Sequence, residues 1–286
     1  MNAPWPAPAK INLFLHVTGR RPDGYHELQT VFQFVEFGDS LEFEVLDDGR
    51  ILRDGDHSGI PEDQDLVVRA ARALKAETGC PAGARIRVEK RIPLGGGLGG
   101  GSSDAATTLV ALNHLWGLGL DEDTLARLGL RLGADVPVFV RGRAAFATGV
   151  GEELTPIEPP ESWLLVVHPG ISVSTREVFE HPDLTRNTAP ITIRAFLAGA
   201  GGNDCEAVVR RLHPGVAAAI DWLRTFGDAR MTGTGSCIFL KLDSEREARA
   251  VLERLPDAWR GIVTRGLNRS PLLDRLAAGA GTGCAA

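Results

Sequence analysis

A dense run of glycines that leads into a helix-forming segment constrains this 286-residue chain more than any other feature. The segment from Lys90 to Trp116 is KRIPLGGGLGGGSSDAATTLVALNHLW. Its glycines can take positive φ and lack the Cβ atoms that would keep a ligand away. Ser102 or Ser103 is the predicted N-cap of the helix. Apolar residues then recur at helical spacing, at Ala105, Leu109, Leu112 and Trp116. The pattern predicts backbone N–H groups that converge on a phosphate at a helix N-terminus.

Three other interpretations of the glycine run are weaker. Flexible linkers rarely lead straight into a capped amphipathic helix. Gly95, Gly97 and Gly100 match the G-x-G-x-x-G spacing of a dinucleotide site, but so dense a run matches many spacings by chance. The preceding segment, Arg85 to Glu89, alternates polar and apolar residues like a half-exposed antiparallel strand, unlike the buried parallel strand of a Rossmann unit. A P-loop is excluded because Gly101 stands where its lysine belongs.

Composition and charge limit the class of protein. The chain is 43% hydrophobic and 24% charged, as expected for a globular protein, and no apolar run reaches the length of a membrane span. The first residues show no secretory signal pattern, so we expect a cytoplasmic protein without a membrane partner. A formal net charge of -6 argues against nucleic-acid binding. The four cysteines lack the paired spacing of a zinc site or a disulfide framework.

A strand and a loop near the N-terminus carry the first candidate site residues. The segment from Ala9 to Thr18 alternates like a strand and places Lys10 and Asn12 side by side on its less apolar face. For Lys10 alone, a solvated outer face is the more common situation. The following loop, RRPDGYH, delivers Tyr25 and His26 next to one another. Such a pair can stack on and hydrogen-bond to a planar heterocycle, although a surface Tyr and His need no ligand.

Asp135 is the second candidate, in the apolar segment LGADVPVFV. A carboxylate buried there needs a partner, because its desolvation is otherwise costly. The alternative is that Asp135 only caps or turns the chain before Pro137. The residues alone leave both interpretations open.

The remaining segments predict a mixture of strands and helices. Asp65 is expected to cap a helix that runs to about Glu77, and Asp121 to cap another. Residues 29 to 45 suggest two strands that meet around Gly38 and Asp39. The proline-rich run TPIEPPES then suggests a boundary, with domains at residues 1–158 and 159–286. The Ala- and Gly-rich tail after Leu276 is expected to be disordered.

Four segments together resemble the GHMP kinase superfamily: PAPAKINLFLHVTGRRPDGYHEL, PLGGGLGGGSSDAA, LGADVPVFVRGRAAFATGVGE and MTGTGSC. The resemblance covers the chain from about Trp5 to Pro271. It implies an α+β, two-domain GHMP-kinase-like fold with the active site in the interdomain cleft. It also implies a kinase that transfers a phosphoryl group from ATP, accompanied by Mg²⁺, to an alcohol. The first and third segments narrow it to members that phosphorylate the 2-hydroxyl of a methylerythritol carrying a cytidine diphosphate group, in non-mevalonate isoprenoid biosynthesis.

The same resemblance assigns the site residues. Lys10 and Asp135 correspond to the catalytic pair, in which Asp135 accepts or orients the hydroxyl proton and Lys10 keeps it ionised. Asp104, where some relatives carry Asn or Ala, would repel phosphates, so we expect it to point away from them or towards Mg²⁺. The metal ligands stay unassigned. The ATP-binding loop corresponds to Pro93, Leu94, Gly95, Gly96, Gly97, Leu98, Gly99, Gly100, Gly101, Ser102 and Ser103. Substrate binding is expected of Asn12, Tyr25, His26, Phe179, Thr232 and Gly233.

Three rival functions stay open at this point. Another GHMP kinase would act on mevalonate, phosphomevalonate, homoserine or a sugar, and only Tyr25, His26 and Phe179 favour a cytidine-bearing substrate. A regulatory module would bind ATP without turnover and would leave Asp135 unexplained. A dehydrogenase would bind NAD.

Overall fold

The computed structural model describes residues 3–54 and 59–280. Its strands are β1 (Trp5–Arg20), β2 (His26–Leu46), β3 (Ile51–Asp54), β4 (Gly83–Glu89), β5 (Ala145–Thr148), β6 (Glu153–Pro156), β7 (Trp163–His168), β8 (Ala229–Met231), β9 (Ile238–Leu242) and β10 (Arg260–Leu267). Its helices are α1 (Leu66–Thr78), α2 (Gly100–Leu115), α3 (Glu122–Leu130), α4 (Val136–Arg141), α5 (Thr175–Glu180), α6 (Ile193–Leu197), α7 (Glu206–Leu212), α8 (Pro214–Arg224), α9 (Glu245–Leu252) and α10 (Pro271–Ala280). Within these ranges, every helix is too short or too polar to cross a membrane.

One connected sheet runs through both halves of the chain. Its main path is β3-β4-β2-β10-β7-β9-β8, with β1 and β5 paired to β2, and β6 paired to β5. The long antiparallel pair of β1 and β2 dominates the first half. Strand β10 joins the halves, because Gly266 and Leu267 pair with Val35 and Phe34 of β2, while residues 260–265 pair with β7. Backbone pairing therefore connects the two halves within one sheet.

The prediction of two strands between residues 29 and 45 is wrong, because β2 is a single strand of 21 residues. Gly38 lies opposite Pro8 of β1, and a Cβ atom at position 38 would overlap the Ala7 carbonyl oxygen. The Gly-Asp pair that looks like a turn in the sequence therefore marks a close approach of two strands. Asp39 is buried there and accepts hydrogen bonds from the backbone N–H groups of Arg91 and Ile92.

The two predicted helix caps at Asp65 and Asp121 are confirmed. The Asp65 side chain accepts from the N–H of Val67, and the Asp121 side chain accepts from the N–H of Thr124. Each aspartate satisfies a backbone donor that the first turn of the helix leaves without an intrahelical partner.

The buried apolar residues form three clusters. One lies around α1, α2, α3 and α4, a second lies around β7, β8, β9 and the helices α5 to α9, and a third joins the halves. Leu272 of α10 packs in the first cluster, so the last helix lies with the N-terminal half although the sequence places it in the second predicted domain. The division at residue 158 stays a prediction.

Helix α10 continues through Ala280, so the expectation of disorder directly after Leu276 is wrong for residues 277–280. The helix packs on β1 and α2, which gives this Ala-rich segment tertiary support that composition does not reveal. Residues 281–286, which belong to the same prediction, lie outside the described residues.

Candidate active site

A cleft of about 990 Å³ contains most of the candidate residues. One end, here called the glycine end, is lined by the loop from residue 93 to 102 together with Lys10 and Asp135. The other end, here called the aromatic end, is lined by Tyr25, His26 and Phe179. Residues from both halves of the chain contribute, since the segments around Thr175 and Gly233 line the same cleft.

The glycine loop turns its carbonyl groups into the protein. The carbonyl oxygens of Gly95, Gly96 and Leu98 accept hydrogen bonds from the backbone N–H groups of Ser236, Cys237 and Lys10, respectively. Within residues 3–54 and 59–280, no backbone acceptor takes the N–H groups of residues 95–99. The loop glycines at 95, 97 and 99 have φ values of 64°, 75° and 73°. This left-handed backbone with occupied carbonyls leaves N–H groups for an anion in the cleft.

Helix α2 begins earlier than the sequence predicts. Its N-cap is Gly99, in the left-handed region, and no side chain caps the first turn. The prediction of Ser102 or Ser103 as N-cap is therefore wrong, because both lie inside the helix. A serine cap would occupy an N–H group of the first turn, whereas the glycine start leaves those groups and the positive end of the helix dipole for a ligand.

The loop also passes through narrow spaces that only glycine fills. A Cβ atom at Gly97 would overlap the Thr232 carbonyl oxygen, and one at Gly96 would lie 2.7 Å from the Cys237 sulfur. At Gly99 the added atom would lie 2.9 Å from the Phe139 ring. These glycines let the loop pack against the 231–237 segment while its open face remains in the cleft. The loop thus has the shape and the free donors that a phosphate chain requires.

Behind the loop, α2 is buried on all sides instead of along one stripe. Every residue from Ser103 to Leu112 is buried. The polar members have internal partners: Ser103 donates to the Pro8 carbonyl at 2.7 Å, and Thr107 donates to the Pro6 carbonyl at 3.1 Å. Ser103 is fully buried and does not line the cleft. Its assignment to the ATP-binding loop stays a prediction.

Lys10 lies at the centre of the glycine end and is only 3% exposed, so a solvated outer face is excluded. Its ammonium group donates to Asn12 Oδ1 at 2.7 Å and to the Gly97 carbonyl at 3.0 Å. The same nitrogen lies 3.3 Å from Asp135 Oδ2. An ammonium group has three donors, and these three partners use them. Lys10 therefore links the glycine loop, Asn12 and the candidate base.

Asp135 occupies the N-cap position of α4, yet its side chain makes no capping hydrogen bond. It points towards Lys10 instead, and the carboxylate side chain is 33% exposed. The structure thus favours the paired carboxylate over the simple cap, although the group is less buried than the apolar sequence suggests. A half-exposed carboxylate beside a buried cation can contact a substrate hydroxyl in the cleft.

Asn12 and Thr232 support the site from within the protein. The Asn12 amide donates to Thr30 Oγ1 at 2.9 Å while its oxygen accepts from Lys10, so its side chain is fixed at both ends. Thr232 is fully buried, and its hydroxyl accepts from the Asn12 N–H at 2.8 Å. Thr232 does not line the cleft, whereas Gly233 does. The assignment of both residues to substrate binding stays a prediction.

The aromatic end consists of rings from distant segments. Tyr25 is 64% exposed at the turn between β1 and β2. The His26 ring is buried and stacks on Phe179, with ring centroids 5.1 Å apart and an interplanar angle of 26°. Burial, with the nearby charges of Arg186 and Arg20, lowers the pKa of His26. A neutral imidazole and two aromatic rings suit a planar, uncharged heterocycle.

Asp104 points away from the cleft, as one of the two sequence expectations states. Its carboxylate accepts from Lys90 Nζ at 2.7 Å, and Lys90 also contacts the buried Asp39. Asp104 is 4% exposed, and burial together with Asp39 raises its pKa to about 7. One cation thus faces two buried carboxylates directly behind the start of α2.

Two polar contacts of the cleft have no counterpart among the sequence predictions. Thr175 and Thr234 line the cleft, and their hydroxyl oxygens lie 3.0 Å apart. Arg186 donates from Nε to His26 Nε2 at 3.1 Å. Thr234 lies within the MTGTGSC segment that the sequence analysis singles out, whereas no pattern distinguishes Arg186 from the other arginines of the chain.

Comparisons with known proteins agree with this arrangement. The family model described as GHMP kinases N terminal domain matches residues 65–143, and the one described as GHMP kinases C terminal matches residues 185–261. A crystal structure of 4-(cytidine 5'-diphospho)-2C-methyl-D-erythritol kinase superposes with a TM-score of 0.81 and 36% identity, over 91% of this chain and 98% of that one. The mevalonate kinase of Methanococcus jannaschii shares the fold, with a TM-score of 0.68, at 16% identity over 94% and 99% of the two chains.

Curated relatives match over nearly the whole length. The 4-diphosphocytidyl-2-C-methyl-D-erythritol kinase of Alkalilimnicola ehrlichii is 61% identical over 95% of this chain and 94% of that protein. The protein of the same name from Nitrosococcus oceani is 59% identical over 98% of this chain and 99% of its own length. The chain belongs to the GHMP kinases and, within them, to the family of 4-diphosphocytidyl-2-C-methyl-D-erythritol kinases.

Proposed function

We propose that the protein transfers a phosphoryl group from ATP to the 2-hydroxyl of 4-diphosphocytidyl-2-C-methyl-D-erythritol, in non-mevalonate isoprenoid biosynthesis. Membership of the family makes the chain an ATP-dependent phosphotransferase with an alcohol as acceptor. The observation that carries the proposal is the contact of 3.3 Å between Lys10 Nζ and Asp135 Oδ2 beside the glycine loop. It combines a carboxylate open to the cleft with a buried cation, next to N–H groups free for phosphates.

The chemistry of this site is mostly positioning and charge stabilisation, as phosphoryl transfer requires. N–H groups of the loop and of the first turn of α2 bind the phosphates of ATP. Asp135 accepts the proton of the attacking hydroxyl or orients that hydroxyl for in-line attack. Lys10 holds Asp135 in place and adds positive charge where the transferred group passes. Because Lys10 also bonds Asn12 and the loop, it couples the position of the acceptor to that of the donor.

Mg²⁺ is expected to enter with ATP. Among the described residues, no three His, Cys, Asp or Glu side chains come together as a metal-binding group. A Mg²⁺ ion that enters bound to phosphates does not need such a group, because it keeps several waters and takes only one or two carboxylates from the protein. The bound ion would offset the negative charge of the phosphates.

The aromatic end supplies the preference for a cytidine diphosphate acceptor. In our proposal Tyr25 and Phe179 contact the two faces of the cytosine, and His26 hydrogen-bonds to its edge. The exposed Tyr25 ring and the fixed pair of His26 and Phe179 support this arrangement. The cytoplasmic location and the lack of nucleic-acid and membrane partners stay predictions from the sequence.

Release of ADP with different acceptors tests the proposal. The purified protein is given ATP, Mg²⁺ and, in turn, 4-diphosphocytidyl-2-C-methyl-D-erythritol, mevalonate and homoserine. We expect turnover with the first acceptor alone, and the product should carry the new phosphate on the 2-hydroxyl. Turnover confined to mevalonate or homoserine would overturn the substrate assignment. ATP binding without ADP release from any acceptor would favour a regulatory module.

A further inference from the structure

Arg186 makes a dense set of contacts behind the aromatic end. Its Nε donates to His26 Nε2 at 3.1 Å. Its Nη2 donates to the carbonyl oxygens of Phe179 and His181 at 2.8 and 2.7 Å, and its Nη1 donates to that of Leu184 at 3.0 Å. One guanidinium group therefore fixes the backbone that carries the Phe179 ring and, at the same time, the ring that stacks on it.

The contact with His26 decides where the imidazole carries its proton. A guanidinium nitrogen is only a donor, so His26 Nε2 must present its lone pair. The neutral ring then carries its hydrogen on Nδ1. The lowered pKa of His26 keeps the ring neutral at neutral pH. Within residues 3–54 and 59–280, no protein acceptor bonds to Nδ1, and His26 lines the cleft. The ring is thus a hydrogen-bond donor available to a ligand.

We infer that Arg186 is a positioning residue that fixes His26 as an Nδ1–H donor and thereby makes the aromatic end select cytosine over uracil. The inference rests on the proposed function for the identity of the heterocycle. The two bases differ at ring nitrogen N3, which is an acceptor in cytosine and carries a hydrogen in uracil. A fixed donor pairs with cytosine N3, whereas uracil would leave two donors facing each other. Discrimination of roughly 10- to 100-fold is expected from one such mismatch.

Binding of CDP and UDP tests the inference without requiring turnover. Titration calorimetry is performed with the ATP end saturated by ADP, on the wild type, Arg186→Met and Arg186→Lys. The wild type should bind CDP at least about tenfold more tightly than UDP. In Arg186→Met the preference should fall to within about threefold, because methionine donates no hydrogen bond to Nε2 and the ring can then donate from either nitrogen. In Arg186→Lys the preference should lie between those of the wild type and Arg186→Met, because the ammonium group keeps a donor but loses the planar fork of arginine.

The matched control is Arg224→Met. Arg224 also bonds a backbone carbonyl, that of Ala229 at 3.2 Å, and an acidic side chain, Glu206, but it lies outside the cleft. The control should keep the wild-type ratio of CDP to UDP affinity. An unchanged ratio in Arg186→Met, or a wild type that does not distinguish CDP from UDP, would overturn the inference.

The tautomer of His26 can be observed directly in the intact protein, which decides the matter even if the Arg186 variants fold poorly. Long-range ¹H–¹⁵N correlation spectra report the protonation of each ring nitrogen, and His26→Gln identifies the His26 signals. We expect a protonated Nδ1 and an unprotonated Nε2, and a hydrogen on Nε2 would overturn the inference. Failure of the proposed function would appear separately, as absent ADP release from a wild type that still prefers CDP.

Discussion

The two ends of the cleft are built in different ways. At the glycine end, the ligand-facing groups are backbone N–H groups, the partly exposed Asp135, and a lysine that is 3% exposed and donates to Asn12 and to the glycine loop. At the aromatic end, they are side chains from two distant segments, the start of β2 and helix α5, and one of them, Tyr25, is 64% exposed. Substitutions at the glycine end therefore disturb the core, whereas the side chains of the aromatic end can be substituted one at a time.

This difference predicts which kinetic constants change when each end of the cleft is substituted. Changes at the glycine end act where charge develops in the transition state, so they should lower kcat or weaken ATP binding. Changes at the aromatic end remove contacts to a part of the acceptor that does not react. Those contacts contribute to binding before the transition state, so their loss should raise the KM of the acceptor.

Asp135→Asn should give the largest effect. It removes the carboxylate that accepts or orients the hydroxyl proton, and we expect kcat to fall by roughly 10²- to 10⁴-fold. The KM of both substrates should change little, because asparagine keeps the shape of the side chain. Steady-state kinetics would show this, with Asp257→Asn, an exposed aspartate outside the cleft, as the control. Near-wild-type kcat in folded Asp135→Asn would contradict the assignment of Asp135.

Gly97→Ala should be the next largest change. The added methyl group overlaps the Thr232 carbonyl, and φ at this position is 75°, so we expect the free energy of unfolding to fall by roughly 2–4 kcal/mol. The displaced loop should raise the KM of ATP about tenfold, the scale of losing a hydrogen bond to a charged group.

A second glycine with positive φ, Gly117, shows how much of the expected loss of stability comes from atomic overlap and how much comes from the left-handed backbone. Gly117 has φ of 64°, but an added Cβ meets no described atom within 4 Å. Gly117→Ala should therefore lower the free energy of unfolding by about 1 kcal/mol, because of the left-handed backbone alone, and should leave ATP binding unchanged. Denaturant unfolding and ATP titrations compare the two variants. An equal loss of free energy of unfolding in both variants would show that the tight packing around Gly97 does not contribute to stability.

Tyr25→Ala tests the aromatic end. Loss of one stacking partner should raise the KM of the acceptor roughly 5- to 100-fold, since stacking on a base is worth about 1–3 kcal/mol. The KM of ATP and the thermal stability should stay the same, because the ring is exposed and outside the core. Leu197→Ala, at a side chain that is 57% exposed, is a control for removing exposed apolar surface. A similar loss of ATP affinity in Tyr25→Ala would contradict the proposal that the aromatic end binds the acceptor independently of ATP.

The glycine end could be predicted from the sequence because its signals are local. A dense run of glycines before a helix, and an aspartate among small apolar residues, are visible within a few positions of one another. The pairing of Asp135 with Lys10 came instead from the resemblance to the GHMP kinases, because the residues alone left both a cap and a paired carboxylate open for Asp135. The exact start of α2 could not be predicted, because serines are good caps and only the open first turn explains the glycine at that position.

The parts that sequence reasoning missed depend on contacts between distant segments. Gly38 looks like a turn residue until β1 is seen to pass against it, so β2 was expected as two strands. Arg186 lies in an irregular segment, and its importance comes from His26, 160 positions away. Buried Thr232 belongs to a recognisable motif, yet only the structure shows that its hydroxyl bonds to the backbone of Asn12 and not to the cleft.

Asp104→Asn should give the smallest effect, and it tests the support of the glycine end instead of its chemistry. Burial raises the pKa of Asp104 to about 7 in the folded protein, above the ordinary value of about 4. The folded state therefore binds more protons than the unfolded state between those values, and this carboxylate lowers the free energy of unfolding as pH rises through that window. Asparagine keeps an acceptor for Lys90 but removes the charge.

The free energy of unfolding of Asp104→Asn relative to the wild type should accordingly rise by roughly 2–3 kcal/mol between pH 5 and pH 8. The effect on the reaction stays the smallest of the series, because kcat should be unchanged at both pH values. Denaturant unfolding across that range measures the difference, and exposed Asp257→Asn should show no such trend. A gain that shrinks as pH rises would mean that Lys90 stabilises the ionised Asp104 more strongly than burial opposes it. The glycine end would then be stabilised by the ionised cluster of Lys90, Asp39 and Asp104 as well as by backbone packing. The two ends of the cleft would therefore differ in buried charge as well as in packing.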